Sequence, residues 1–296
     1  MGEIVGAAIV SHHPGLMQPL EPRLQRGGGR DSDLVEGFER VRARIDAVKP
    51  DTFIIFDTHW FTTGMHLLTG AEHYGGLFTS SELPFAVDRV PYDYDGAPAL
   101  ATAIEAVAQE RGVPARSVTN PDLPLYYGTI NVVRKLRRDE RVLSVGSCQN
   151  AAPHHFLAMG EAIAEGIRRS EGRVLLLASG ALSHAFHDLD FKPADPCGWA
   201  PANVFSAENR KLDAEVIEQF RQGRHDAVID RYPELRRARI EGFGAHYLQM
   251  IGALGGRDCR ARGTPCSDYE NAAGTGNIHI WFDLDEAGSA RPGVAA

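Results

Sequence analysis

The chain has 296 residues, of which 43% are hydrophobic and 24% charged, and its formal net charge is -8. This composition is typical of a folded globular protein and excludes a largely disordered one. The acidic balance argues against a nucleic-acid partner, which usually needs a basic face. No apolar run approaches the ~18 residues of a membrane-spanning helix, and no basic segment precedes the first apolar run, so we expect neither membrane insertion nor a secretory leader.

The four cysteines do not form a CxxC pair, so the sequence does not indicate a structural zinc knuckle. Their low density also argues against a fold built on disulfides. We therefore expect reduced thiols in a cytoplasmic protein. The cysteines are Cys148, Cys197, Cys259 and Cys266.

Apolar runs with strand character alternate with segments of helical periodicity, which predicts an α/β domain. We expect a central, mainly parallel or mixed sheet flanked by helices. One domain would span residues 1–285, and residues 286–296 would form a disordered tail. The predicted strands are Ile4–Val10, Thr52–Phe56, Val142–Val145, Val174–Ala178 and Ile278–Phe282. The predicted helices are Asp33–Val48, Ala97–Arg111, Phe156–Ser170 and Ser206–Gln222.

Three of the strand-like runs lead directly to histidines. The first ends in His12 and His13, the second in His59 and the third in His184. Ligands of open α/β sheets bind beyond the carboxyl ends of the strands, so these histidines can converge on one point. A lone histidine is more often structural, but three at equivalent positions favour a metal site or an acid/base site.

A carboxylate would complete a metal site, and the sequence offers two. Glu241 precedes a small-residue-rich apolar segment, although an acidic group at a helix start also has a purely structural explanation. Asp57 lies two residues before His59 and could act as a ligand or orient an imidazole. Two imidazoles and one carboxylate suit both the facial triad of non-haem Fe(II) oxygenases and catalytic zinc, so the donors do not separate oxidation from hydrolysis.

Six motifs occur in one order along the chain: SHHPGL, FIIFDTHW, LPLYYGTI, LLLASGALSH, IEGFGAHYLQMIGALGG and AAGTGNIHIWF. Together they resemble the class III extradiol ring-cleaving dioxygenases over roughly residues 4 to 283. The DTHW run, LPF followed by PYDYDG, and YGT are most similar to the 3,4-dihydroxyphenylacetate (homoprotocatechuate) 2,3-dioxygenase branch.

The resemblance implies a function and a set of site residues. It implies cleavage of an aromatic diol or aminophenol with O2, giving a muconic semialdehyde-type product. Fe(II) would be held by His12, His59 and Glu241, and His184 would be the acid/base. It further implies homo-oligomers, and a second subunit type is possible because some relatives have two chains.

One motif departs from many members of the superfamily, which have a second catalytic histidine before a glycine. The aligned pair is Tyr127-Gly128, so we expect Tyr127 to hydrogen-bond the substrate, with a half-buried loop aromatic as the alternative. His13 is a further difference, and it is either an alternative ligand or a substrate contact.

The remaining site expectations concern the walls of the pocket. We expect Trp60, His154 and Trp199 to contact substrate, together with His13, and Phe61, Phe85 and Tyr269 are further wall candidates. Two rival functions remain open: a zinc-dependent hydrolase or ring opener with the same ligands, and a catalytically silent binding protein of the same fold.

Overall fold

The structure is a computed structural model, and it describes residues 1–284. The expected tail at 286–296 therefore lies outside the described residues. The strands are β1 (Glu3–Val10), β2 (Thr52–Thr62), β3 (His66–Thr69), β4 (His73–Phe78), β5 (Val90–Asp95), β6 (Ala115–Val118), β7 (Arg141–Cys148), β8 (Arg173–Ser179), β9 (Arg262–Pro265), β10 (Glu270–Ala272), β11 (Thr275–Asn277) and β12 (Ile280–Asp283). The α-helices are α1 (Leu20–Arg26), α2 (Asp33–Val48), α3 (Pro98–Glu110), α4 (Tyr127–Leu136), α5 (Pro153–Arg169), α6 (Ala207–Arg221), α7 (His225–Asp230), α8 (Tyr232–Arg237) and α9 (Ala245–Ala253).

An eight-stranded mixed sheet with the order β6-β3-β7-β2-β8-β1-β12-β9 organises these elements. The four central strands β7, β2, β8 and β1 run parallel. β3 joins one side of this group and β12 the other, both antiparallel. The carboxyl ends of the four central strands therefore reach the same edge of the sheet, where the predicted histidines follow.

Successive side chains of the central strands point to opposite faces, and each face has its own hydrophobic core. Val10 and Phe53 pack on one face together with Phe38 of α2. Ile9 and Phe56 pack on the other face with the buried side chains of α5 and α9. Strands that are buried on both faces read as continuous apolar runs, which is why these segments were recognisable in the sequence.

The predicted α/β class and mixed sheet are confirmed, and the boundaries show where local patterns were insufficient. β2 continues beyond Phe56 as far as Thr62, so His59 lies within the strand. The last strand begins at Ile280 rather than Ile278. α4 had no prediction, because two prolines precede it and the side chain at its N-cap, Tyr126, makes no capping hydrogen bond. Between residues 1 and 284, no helix is long and apolar enough to cross a membrane.

Candidate metal centre

Three side chains from distant parts of the chain meet at the carboxyl edge of the sheet. His12 follows β1, His59 lies near the end of β2, and Glu241 precedes α9. The Nε2 atoms of His12 and His59 lie 3.2 and 3.1 Å from the same carboxylate oxygen, Oε1 of Glu241. One ligand atom from each of the three lies within 4.8 Å of the others, which is compatible with one shared metal ion.

The hydrogen bonds of His12 determine which ring nitrogen faces Glu241 with a lone pair. The Ser179 hydroxyl donates to the carbonyl oxygen of Gly128, at 2.7 Å. That hydroxyl has only one proton, so it must accept from Nδ1–H of His12, at 2.8 Å. The neutral imidazole then presents an unprotonated Nε2 to a carboxylate oxygen. Two acceptors in contact need a cation or an added proton between them.

Glu241 is held by donors on both of its oxygens. The Thr58 hydroxyl donates to Oε1 at 2.9 Å, and the backbone N–H of Ala181 donates to Oε2. The residues after Glu241 have positive φ angles: 54° at Gly242, 61° at Phe243 and 74° at Gly244. Glycine adopts this left-handed conformation without strain, whereas Phe243 does so at a cost. The backbone is therefore shaped to turn the carboxylate toward the histidines.

Electrostatics keeps the Glu241 carboxylate ionised. Burial opposes the charge, since the residue is only 5% exposed. When His12 and His184 carry an added proton, their charges, together with hydrogen bonds from His12 and His59, outweigh burial and hold the pKa of Glu241 well below its usual value. Burial likewise acts against protonation of His59, but Glu241 raises the pKa of that imidazole. The site thus has a negative charge that attracts cations.

Asp57 shapes the backbone around His59 and is not part of the ligand cluster. Its Oδ1 accepts from the backbone N–H groups of His59 and Trp60, at 2.7 and 3.1 Å. Its Oδ2 accepts from the Thr129 hydroxyl at 2.7 Å. The pairing of β2 with β7 shifts register over this same stretch, between Phe56 and Phe61. Of the two roles open to Asp57, the structure supports positioning, through the backbone rather than through the imidazole ring.

His184 lies beside the cluster, as its motif implied. Its Nε2 is 3.7 Å from Oε1 of Glu241, and its side chain is 23% exposed. Burial lowers the pKa of the imidazole below its usual value, although Glu241 acts in the opposite direction. The neutral ring is therefore available to accept a proton next to the cluster.

Tyr127 is the first residue of α4 rather than part of a loop, and it packs directly on the cluster. Its ring centroid lies 3.9 Å from that of His59 and 5.4 Å from that of His12. Burial, followed by the charge of Glu241, raises the pKa of its phenol. The hydroxyl donates to Oε2 of Glu82 at 3.1 Å. Tyr127 therefore remains a protonated hydrogen-bond donor beside the site.

The other predicted contact residues fall into two groups. His13 and Trp199 lie together, with ring centroids 5.9 Å apart, and His13 is the chain neighbour of His12. The Nε2 of His13 is buried without a partner in residues 1–284. Trp60 packs on β7, where a Cβ added to Gly146 would lie 3.1 Å from its ring. His154 is exposed at the start of α5 and packs against His155, with the two rings tilted by 40°, and within residues 1–284 no hydrogen bond or ring contact joins it to the cluster.

Glu82 was not anticipated from the sequence. It lies between β4 and β5, and its Oε2 is 3.7 Å from Nδ1 of His59. The side chain is 53% exposed, so it reaches the cluster from the solvent side. An exposed glutamate in a loop carries no periodic or spacing signal, and only the fold places it beside His59 and Tyr127.

The donor set fits a divalent ion that uses nitrogen and oxygen ligands. Two imidazoles and one carboxylate from three separate elements would leave several coordination positions for other ligands. His184 and Tyr127 lie beside the three side chains, the first with an imidazole that can accept a proton and the second with a phenol that can donate one hydrogen bond. The arrangement can therefore bind a metal ion and transfer a proton to or from a molecule next to it.

Comparisons with known proteins agree with this chemistry. The family described as "Catalytic LigB subunit of aromatic ring-opening dioxygenase" matches residues 6–278. The chain is 30% identical over 260 residues to 3,4-dihydroxyphenylacetate 2,3-dioxygenase of Escherichia coli, covering 86% of this chain and 91% of that protein. It is 28% identical over 304 residues to the 2-aminophenol 1,6-dioxygenase beta subunit of a Pseudomonas species, covering 98% and 97%.

A solved structure is similar in fold. The crystal structure of an uncharacterised protein of Escherichia coli K12 has a TM-score of 0.58 and 16% identity, covering 94% of this chain and 100% of that one. At that identity the likeness supports the α/β fold alone.

Proposed function

The chain belongs to the LigB family of aromatic ring-opening dioxygenases, and we propose that its reaction is the Fe(II)-dependent cleavage of a catechol-type ring. The bond broken lies beside the two ring oxygens, outside the pair, and the product is of the muconic semialdehyde type. Both atoms of O2 enter the product, so the reaction needs no external reductant.

One observation carries the proposal: the Nε2 atoms of His12 and His59 both face Oε1 of Glu241, at 3.2 and 3.1 Å. His12 is held in the tautomer that leaves this nitrogen unprotonated. His12, His59 and Glu241 are the residues that would hold the iron. Bound there, Fe(II) would supply Lewis acidity and a route for electrons between the aromatic ring and O2.

The chain's own residues position the substrate and move its protons. His184 accepts a proton from a ring hydroxyl and later returns it, because its imidazole lies beside the cluster and remains neutral. The Tyr127 hydroxyl, which donates to Glu82 in the absence of substrate, would turn to donate its one proton to a substrate oxygen. Holding the reacting groups in one small site removes much of the entropic cost of bringing them together.

The proposed substrates are an aromatic diol or an aminophenol, the two classes named in the relatives. His13 and Trp199 would contact the ring or its side chain, since their rings lie together and His13 directly follows His12 in the chain. Trp60 and His154 are also proposed as substrate contacts. In the absence of substrate, Trp60 packs against Gly146 of β7 and His154 against His155.

Oxygen uptake tests the proposal directly. Metal-free protein is loaded anaerobically with Fe(II), mixed with 3,4-dihydroxyphenylacetate and exposed to air, while O2 and the yellow ring-opened product are recorded. We expect one O2 per substrate. O2 uptake with 2-aminophenol but not with 3,4-dihydroxyphenylacetate would support the ring-cleaving reaction and identify an aminophenol as the substrate. No uptake with any diol or aminophenol, despite bound iron, would refute the proposal.

Zinc reconstitution separates the rival metal chemistry. If the zinc form were active without O2, the hydrolytic alternative would replace the dioxygenase proposal.

We also propose that the protein forms a homo-oligomer. Light scattering after gel filtration tests this assembly, and a second subunit type would appear as a co-purifying chain. A cytoplasmic location agrees with the four buried, unpaired cysteines.

A further inference from the structure

The segment that carries His184 is held by an unusual set of donors and acceptors. Its residues, 180–184, follow β8 without forming a helix or strand. The backbone N–H of Gly180 donates to Val10, that of Leu182 to Gly276 and that of His184 to Ala238, at 3.0, 2.9 and 3.2 Å. These three acceptors are backbone carbonyls from three different parts of the chain.

The two remaining N–H groups of the segment donate to buried carboxylates. Ala181 donates to Glu241, which the proposed function already uses. Ser183 donates to Oδ1 of Asp213 at 3.1 Å, and its hydroxyl donates to Oδ2 of the same residue at 2.6 Å. Asp213 belongs to α6 and is 1% exposed. The Asp213 carboxylate thus holds both the backbone and the side chain of Ser183, the residue before His184.

A third donor completes the surroundings of Asp213. The Tyr269 hydroxyl donates to Oδ2 at 2.6 Å. The backbone on the other side is equally close, because a Cβ added to Gly276 would lie 2.2 Å from Oδ2. Gly276 itself donates its N–H to the carbonyl of Ser183, at 2.8 Å. The three donors and the close approach of Gly276 therefore restrict the orientation of the Asp213 carboxylate.

We propose that Asp213 is a positioning residue for the reaction: by fixing Ser183, it holds the His184 imidazole beside Glu241, where it can exchange a proton with the substrate. The inference rests on the proposed function, because it assigns His184 the proton transfer. It also assigns Tyr269 a role in this hydrogen-bond network rather than in a substrate wall. Catalytic groups tolerate only small displacements, so loss of the carboxylate weakens catalysis without removing a group that touches substrate.

The substitution Asp213→Asn tests this with little change in volume. Its amide group would turn N–H toward groups that are themselves donors, so at least one hydrogen bond is lost. We expect kcat to fall about 10–100-fold, as for other residues that orient catalytic groups, with KM and iron content within about twofold of the parent. Tyr269→Phe removes one donor to Asp213 and leaves the carboxylate in place, so we expect kcat to fall several-fold. This variant tests the inference if Asp213→Asn does not fold.

A double-mutant cycle with His184→Ala distinguishes positioning from general loss of stability. If Asp213 acts through His184, adding Asp213→Asn to His184→Ala changes kcat less than about twofold. An equal loss in both backgrounds would overturn the inference. Glu140→Gln is the matched control, since Glu140 is another buried carboxylate that accepts a backbone N–H but lies at the amino end of β7. Its kcat should equal that of the parent.

A readout without activity separates failure of this inference from failure of the proposed function. In metal-free protein labelled with 15N-histidine, Asp213→Asn should shift or broaden the ring resonances of His184, and Glu140→Gln should leave them unchanged. Unchanged His184 resonances in Asp213→Asn would refute the positioning role. If those resonances move but no substrate is cleaved by the parent, the proposed function fails while the structural link stands.

Discussion

Two buried carboxylates at opposite edges of the sheet have opposite surroundings. Glu140 precedes β7 at its amino end, where Nη1 of Arg42 lies 2.7 Å from its Oε1. Glu241 lies at the carboxyl edge, and in residues 1–284 its ionic partners are three imidazoles, those of His12, His59 and His184. The chain itself supplies a permanent cation to Glu140, whereas the charge of Glu241 is left for protons or a metal ion. Glu140 is therefore expected to stabilise the fold, and Glu241 belongs to the proposed metal site.

Removal of Glu241 should produce the largest effect on function. In Glu241→Ala we expect iron binding and O2 uptake to fall to background, because one ligand and the negative charge are lost together. Iron content after dialysis and uptake by the reconstituted protein measure both. Retained stoichiometric iron in a folded Glu241→Ala protein would contradict the ligand assignment. Glu140→Gln, treated identically, should keep its iron.

His184→Ala should separate proton transfer from metal binding. We expect kcat to fall about 10²–10⁴-fold, the usual range for loss of a general acid/base, while iron content stays that of the parent. Stopped-flow absorbance of the product gives the rate, and metal analysis gives the occupancy. If His184→Ala had the same kcat as the parent, the proposed proton-transfer role of His184 would be wrong.

Glu140→Ala should show the reverse pattern. It leaves the Arg42 guanidinium buried without this partner, which typically costs about 3–5 kcal/mol in the free energy of unfolding. Partial contact of Arg42 with Asp46 reduces the loss. Urea denaturation measures the stability, and kcat per folded molecule should stay parental. If fully folded Glu140→Ala protein had a reduced kcat, the proposed difference between a stabilising Glu140 and a functional Glu241 would be wrong.

Asp213 should make stability depend on pH. Burial, only partly offset by hydrogen bonds from Ser183 and Tyr269, raises the pKa of this carboxyl from 3.8 to about 7. The folded protein then binds more protons than the unfolded chain between about pH 4 and 7, so stability falls as the pH rises through that window, by at most about 4 kcal/mol. Denaturation of metal-free parent and Asp213→Asn across this range measures the difference. Parallel curves would contradict the shifted pKa.

Glu82→Gln should have the smallest effect on function. The side chain contacts His59 and Tyr127 but is half exposed, so we expect iron affinity to weaken by less than about tenfold, below the usual range for partners of metal-bound histidines. Competition with a chelator measures the affinity. Glu72→Gln is a matched control, since Glu72 is exposed and precedes β4. A loss as large as that of Glu241→Ala would make Glu82 a ligand.

The sequence predicted the features that follow from periodicity. Buried parallel strands read as apolar runs, and His12, His59 and His184 could be found because each follows such a run. Glu241 was one of two carboxylate candidates in the sequence, and only the resemblance favoured it over Asp57. Its own segment gives a weak local signal, because it is a short 3-10 turn with left-handed backbone at residues 242–244. Glu82 and Asp213 were not found, because tertiary packing alone brings a loop residue to His59 and a residue of α6 to Ser183.

The order of the strands also bears on when the protein matures. β1 is the first strand of the described chain, yet its neighbours are β8 and β12, which come from residues 173–179 and 280–283. The ligand cluster likewise joins His12 to Glu241. During synthesis on the ribosome, the first histidine is therefore made long before its carboxylate partner and before the sheet around it can close. Iron can then occupy the proposed site only after Glu241 has been translated, long after the first strand has been made.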